Sequence, residues 1–402
     1  MRRTTKFAGV GVAIAALALT ACAPTTTPTS TGSASEGATE TVAVNVGMIT
    51  SITGPLAAYG AAYQQGFEAG LDYATEGTGE IEGIDLTIEW VDDQGNPDTA
   101  VTQAKDLIGQ GFQILGGSAA SGVSLAVAEQ AAQNDTLFLS GPAAADAITG
   151  VNEQTFRSGR QTLQDVATAA TFLDSVEGSN IVVFAQDNAF GQGNVASVQS
   201  VLGGQGATVT PILVAEDATE FTPFAQQIAA AAPDLVFVAW AGATSGAMWE
   251  ALSQQQVLAG TTVVTGLGDR ATHQAYGPGS GDIQFLNHYF AGATDNEAAQ
   301  AMDAYLEANG YEADLFTVDG FAGAQMLVRA ITEGRGDVPA MISALEGWTF
   351  ESVKGELTIR AEDHALIQPM FQVRLVDEAG TWVPELIEVA DAEAVAPPVA
   401  GE

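Results

Sequence analysis

Sulfur, histidine and positive charge are all scarce in this chain: one cysteine, three histidines, and 12 Lys and Arg against 49 Asp and Glu over 402 residues. A single thiol rules out an internal disulfide, and one Cys with His273, His288 and His364 scattered along the chain gives no zinc quartet. The spacings His-Glu-x-x-His and Gly-x-Ser-x-Gly are missing, so neither a zinc peptidase nor a serine hydrolase is written here. Neither Lys105 nor Lys354 closes a Gly-x-x-x-x-Gly-Lys phosphate loop. The run from Asp92 to Asp98 has the acidic look of a calcium loop but lacks the distal Glu, and reads as a solvated turn with Asp98 near a helix start. A net charge of −37 repels nucleic acid and anionic lipid headgroups, which excludes both as partners held by basic attraction. So acidic a surface suits a producer living in high salt, where screening removes the self-repulsion. These absences together predict no metal, no cofactor and no catalytic residues.

What is present begins with Met1, Arg2, Arg3 and Lys6, followed by an uncharged apolar run over 7–19 that is too short to span a bilayer but suits an export signal. Leu19-Thr20-Ala21-Cys22 then places the lone thiol at the cut point, an arrangement that resembles the lipobox of bacterial lipoproteins. Residues 1–21 are therefore expected to be a lipoprotein signal peptide and Cys22 the lipidated anchor, outside the cytoplasm at the cell membrane. Residues 22–41 are Thr, Ser, Pro, Gly and Ala with little to bury, which makes them a disordered tether.

Beyond the tether, short β-rich runs (41–49, 84–93, 113–116, 136–140, 180–187, 208–214, 234–240 and 261–267) alternate with amphipathic ones, the pattern of parallel sheets covered by helices. Two such series, before and after about residue 157, predict an α/β fold of two doubly wound open-sheet lobes with a crevice between. The order changes after Asp282: a strand over 282–290, helices over 297–308, 318–333 and 337–345, then strands over 355–360 and 369–375. Ligands of open sheets sit where strands run into helix starts. The loops there offer small residues and backbone N–H groups, with the Ser118 and Ser121 hydroxyls beside a helix start. Tyr59, Phe190 and Trp240 at loop ends suit the walls of an apolar pocket.

The segments "VGMITSITGPLAAYG", "DDQGNPDTAVTQAKDLI", "GGSAASGVSLAVAEQA", "FRSGR", "FAQDNAFGQG" and "DLFTVDGFAGAQMLVRAI" resemble the type I periplasmic-binding-protein family, in its leucine/isoleucine/valine-binding branch. The resemblance implies a monomeric substrate-binding protein of an ABC importer that closes two lobes on a small solute and delivers it to a permease and its ATPase. A ligand sensor with a signalling partner is the alternative. It implies lobe 1 from 42–158 and 291–352, lobe 2 from 159–290 and 353–392, crossings near 157–161, 289–293 and 353, and a flexible tail over 393–402.

The family's ligand contacts, carried over residue by residue, fall on Tyr59, Ala120, Ser121, Ala143, Ala144, Ala145 and Phe190, and the loop-end residues Gly122 and Trp240 are added to them from their positions beside the crevice. Two departures stand out. The family's threonine is Ala145, and its acidic partner of the ligand ammonium falls at Gly268, leaving Asp269 as the nearest carboxylate. A buried ammonium without an anion costs several kcal/mol, so an amino-acid ligand requires Asp269 to turn inward. Arg160, near a lobe crossing, can instead face a carboxylate, which opens the ligand class to acids or amides without an amine.

Overall fold

The computed structural model describes residues 41–401 apart from 174 and 267, so the export signal, Cys22 and nearly all of the tether lie outside the described residues. The first sheet is built from β1 (Val42–Thr50), β2 (Ile84–Asp92), β3 (Ile114–Gly117), β4 (Leu137–Ser140) and β5 (Thr155–Arg157), all parallel in the order β2-β1-β3-β4-β5. Its central strands are apolar on both faces, as buried parallel strands must be when helices cover both sides. α2 (Pro97–Gly109) and α3 (Ser121–Gln133) pack Ala104, Leu107, Val123 and Val127 on one face. α1 (Ala57–Ala74), α10 (Thr317–Gly334) and α11 (Val338–Leu345) cover the other with Tyr63, Phe67, Leu327 and Met341. α2 starts where the sequence puts it: Asn96 accepts from Thr99 N–H, Pro97 has no N–H to lose, and Asp98 sits at the positive end.

The second sheet begins after α4 (Thr162–Ala169). It contains β6 (Asn180–Gln186), β7 (Thr208–Val214), β8 (Leu235–Ala239), β9 (Thr262–Gly266), β10 (Ile283–Asn287), β14 (Met370–Glu378) and β15 (Thr381–Ala390), in the order β15-β14-β10-β9-β8-β6-β7. α5 (Ala189–Val198), α6 (Thr222–Ala231), α7 (Ser245–Gln254) and the short α8 (Val257–Gly260) connect its strands. After β10 the chain returns to lobe 1 through α9 (Glu297–Ala308), α10 and α11. α10 docks against α1 nearly backbone to backbone: a Cβ on Gly66 would stand 1.8 Å from Thr317 O, and one on Gly320 would stand 2.1 Å from Tyr63 O. No described helix is long and apolar enough to cross a membrane.

Two expected boundaries need correction. The chain does not leave lobe 1 at 353. Instead β11 (Thr349–Ser352), β12 (Gly355–Ile359) and β13 (Leu366–Ile367) form an antiparallel three-stranded sheet, and Phe350, Leu357, Ile359 and Leu366 join the same core as Val44 and Phe67. The third crossing lies between Ile367 and Met370. Nor do the described residues of the expected tail, 393–401, stand clear of lobe 1. The Arg360 guanidinium donates to Pro397 O and Pro398 O, and Asp363 accepts from Ala400 N–H, so the segment after β15 lies against lobe 1. Arg360 is itself fixed by Asp363, through Nε at 2.8 Å and Nη2 at 2.6 Å.

Candidate functional site

The carboxyl ends of the parallel strands of both sheets open on one cleft of about 350 Å³. Loops after β1, β2, β3 and β4 wall it on one side, and loops after β6, β7, β8 and β9 on the other. The walls meet where Pro55 O would stand 2.9 Å from a Cβ on Gly242.

On the lobe 1 side, the start of α1 places Leu56 and Tyr59, and Tyr59 packs edge-on against Phe316 with centroids 4.8 Å apart. Burial pushes the Tyr59 hydroxyl up to about 12, with the charge of Asp269 adding to it. Ala119, Ala120 and Ser121 lead into α3, where Ser121 Oγ accepts from Ala145 N–H at 3.2 Å. On the lobe 2 side Phe190 sits in the first turn of α5, and Trp240 packs on Phe184 and Phe221 while donating Nε1–H to Thr244 at 3.0 Å. Gln186 Oε1 accepts from Ala241 N–H, and Asn188 donates to Glu216 Oε1 at 2.6 Å.

Arg160 is the one basic side chain among the residues lining the cleft. Its Nε stands 3.3 Å from Asp165 Oδ2, close enough for an ion pair although the Nε–H makes no hydrogen bond. Among the described residues no other side chain accepts from its terminal nitrogens. Asp165, in the first turn of α4, is driven upward by burial, with the Arg160 charge opposing. The pair engages Nε alone, so the terminal nitrogens of Arg160 remain for whatever occupies the cleft.

Behind this lies a hinge dense in buried charge. Arg157 is 1 % exposed and donates to Gly159 O, Ala145 O, Thr149 Oγ1, Ala143 O and Arg160 O, between 2.6 and 3.3 Å. One guanidinium thus fixes both the loop after β4 and the backbone that carries Arg160. Burial brings it down to about 10, still charged at neutral pH. Asp319 lies 3.3 Å from His288 Nε2 and 3.8 Å from Lys354 Nζ, and Lys354, bonded to Gln368, is brought down to about 8 by burial. Past residue 22 the chain has nine basic residues, and Arg157, Arg160 and Lys354 all sit in this region.

Of the sequence-derived contacts, Tyr59, Ala120, Ser121, Gly122, Ala144, Arg160, Phe190 and Trp240 line the cleft. Ala143, Ala145 and Asp269 do not. Ala143 and Ala145 turn their carbonyls back to Arg157, and Asp269 Oδ1 accepts from Thr272 N–H, capping its own turn. At Gly268 a Cβ would stand 2.1 Å from Thr272 Oγ1 and 3.1 Å from the Tyr276 hydroxyl, so those groups occupy the place an acidic side chain would need. Asp165, Phe316, Gln186 and Glu216 were not anticipated. Phe316 lies in the quoted "DLFTVDG" segment, whereas the polar start of α4 carries no pattern that marks Asp165. Among the described residues no group of three or more His, Cys, Asp or Glu could hold a metal ion.

The family model described as "Periplasmic binding protein" matches residues 43–381. A Leu/Ile/Val-binding protein homolog of Brucella melitensis is 25 % identical over 340 residues, 82 % of this chain and 90 % of that protein. A branched-chain amino acid ABC transporter structure from Rhodopseudomonas palustris superposes with a TM-score of 0.72 and 28 % identity, over 89 % of this chain and all of the other. An R. palustris solute-binding protein in complex with 4-hydroxybenzoate shares the fold at TM-score 0.78 and 20 % identity, over 87 % and 97 %. Two parallel-sheet lobes around a strand-end cleft, together with these matches, place the chain in the type I periplasmic-binding-protein family of extracytoplasmic solute-binding proteins, in its Leu/Ile/Val-binding branch.

Proposed function

We propose that the protein is the capture component of an ABC importer and that its ligand is a small carboxylate with an apolar or aromatic body and no ammonium group. The observation that carries the ligand class is Arg160: a nearly buried guanidinium at the cleft wall whose terminal nitrogens have no other described acceptor. A planar fork of this kind matches a carboxylate. The amino-acid alternative needs an anion for the ammonium, and each carboxylate at or beside the cleft already has a hydrogen-bond or ion-pair partner. Asp165 is claimed by Arg160, Glu216 by Asn188, Asp269 by its own turn, and the Gly268 position is filled. Tyr59, Phe316, Phe190 and Trp240 supply the apolar walls.

Capture proceeds by lobe closure without making or breaking a bond, and the closed form is the one a permease and its ATPase would accept. Cys22 is the lipid anchor. A second reading, a branched-chain amino acid ligand, draws support from relatives named as Leu/Ile/Val-binding proteins. A thermal-shift screen of residues 23–402 at high salt separates the two, because ligand at 100 times its Kd adds about 2.7 kcal/mol of stability. Aromatic or aliphatic carboxylates are expected to raise the melting temperature while leucine, isoleucine and valine leave it unmoved. The reverse pattern overturns the ligand class, and turnover of a bound compound overturns the capture role.

A further inference from the structure

We propose that Asp93, which does not line the cleft, is the positioning residue of its lobe 1 wall. The sequence suggests a solvated turn at Asp92-Asp93, but Asp93 is 0 % exposed. Its Oδ1 accepts from the Ser51 hydroxyl at 2.6 Å and from Gly95 N–H at 2.7 Å, and its Oδ2 accepts from the Ser118 hydroxyl. Each donor opens or sits in a different loop. Ser51 begins the segment that carries Pro55, Leu56 and Tyr59; Gly95 stands two residues before Pro97; Ser118 begins the segment of Ala119, Ala120 and Ser121. All of these except Ser51 and Ser118 line the cleft.

The links continue through the backbone. Asp93 N–H donates to Thr50 O at 3.0 Å, and Ser118 Oγ in turn accepts from Ala120 N–H at 3.2 Å. Asp92 adds a pin on the outer side, its carboxylate accepting from Ile52 N–H, Thr53 N–H and the Thr53 hydroxyl. No ion pair with a Lys, Arg or His is present at Asp93 among the described residues, so the three donors stand in for water and for a counter-charge. A buried carboxylate that loses one donor is left under-solvated. The three loops are therefore held together or released together, and the position of Ser121 and Tyr59 against a ligand follows from a side chain that touches neither. Its role in affinity rests on the reading that this cleft is the binding site.

The test compares the full chain with Asp93→Asn and Asp93→Ala, and with Leu306→Ala as a control that opens a cavity in the α9 packing, away from the cleft. Amide hydrogen exchange of the unliganded proteins is read first. Both Asp93 variants should raise exchange about ten-fold or more at 51–56, 94–96 and 118–122, with α9 and the β6–β9 strands unchanged. Affinity for 4-methylpentanoate or leucine, whichever the unmodified chain binds, should fall about ten-fold or more in Asp93→Ala, with a smaller loss in Asp93→Asn, which keeps an acceptor. Leu306→Ala should lose melting temperature while keeping loop exchange and Kd. Wild-type loop exchange in Asp93→Ala, or a Kd change no larger than that of Leu306→Ala at equal loss of melting temperature, overturns the assignment. If neither compound binds the unmodified chain, affinity is read with the carboxylate that raises its melting temperature in the screen; if none does, the ligand class has failed and the exchange result still decides whether Asp93 clips the loops.

Discussion

Replacing Arg160 by Gln removes the one cationic fork in the cleft while keeping much of its length. At an effective dielectric of about 20, a carboxylate about 4 Å from the guanidinium gains roughly 4 kcal/mol of Coulomb energy. Desolvation offsets part of this, so a charge-assisted hydrogen bond nets about 1.5–3 kcal/mol, and leaving the ligand carboxylate unpaired brings the loss to about 2–5 kcal/mol. Affinity for a carboxylate should then fall about 30-fold to 1,000-fold or beyond. The neutral amide of the same skeleton has no charge to lose and should change much less. Asp165 loses its counter-charge in the variant, which drives its carboxyl further in the direction burial already pushes it, for acid and amide alike. Calorimetric titration of Arg160→Gln with the acid and its amide reads both ratios. Equal losses for acid and amide, or no loss for the acid, would refute the assignment of Arg160 as the carboxylate anchor.

Four further outcomes follow from the same geometry. Ser121→Ala should weaken a carboxylate by about 1–3 kcal/mol in the same titration, since it removes a hydroxyl at the cleft wall and an acceptor for Ala145 N–H. Gly268→Asp should destabilise the fold by about 1–3 kcal/mol through overpacking against Thr272, read as a lower melting temperature, and should confer no leucine binding. Burial holds His288 below the ordinary histidine range, with Asp319 opposing and Arg160 and Lys354 adding to the depression. The unfolded chain therefore takes up a proton near pH 6.5 and the folded one only at lower pH, so this contribution is present above pH 6.5 and is lost as the pH falls. The stability difference between the unmodified chain and His288→Gln, measured by urea unfolding, should shrink from pH 7.5 to pH 5.5, and a constant difference contradicts this. Finally, with a net charge of −37, the melting temperature should rise from low salt to molar KCl; a flat or falling curve removes the high-salt reading.

The central strands were legible because a strand buried on both faces is a plain apolar run: 180–187 and 234–240 differ from β6 and β8 by a residue or so at the ends. The helix expected at 297–308 matches α9 at both ends, where Asn296 accepts from Ala299 N–H. The strands β11 and β13 pair locally with β12 in a small antiparallel sheet, but at four and two residues they are too short for a period to be read. β15 lies at a sheet edge with no buried position and no regular alternation, and carries Pro384, so its ten residues show no strand period. In the site, Tyr59, Ser121, Phe190 and Trp240 could be found because the topology rule points to strand ends. Asp165 could not, since it reaches the cleft from a helix start that carries no signal of it. Asp269 misled because its carboxylate serves the turn it belongs to, and nearness in sequence says nothing about where a side chain points.

The most direct measurement is a pair of calorimetric titrations with 4-methylpentanoate and leucine, which share one carbon skeleton and differ by the ammonium group. Measurable binding of 4-methylpentanoate is expected, with leucine at least about ten-fold weaker, because an ammonium beside Arg160 meets no unpartnered carboxylate. Leucine binding tighter than 4-methylpentanoate would contradict this and would mean that a carboxylate, Asp165 or Asp269, turns to the ligand.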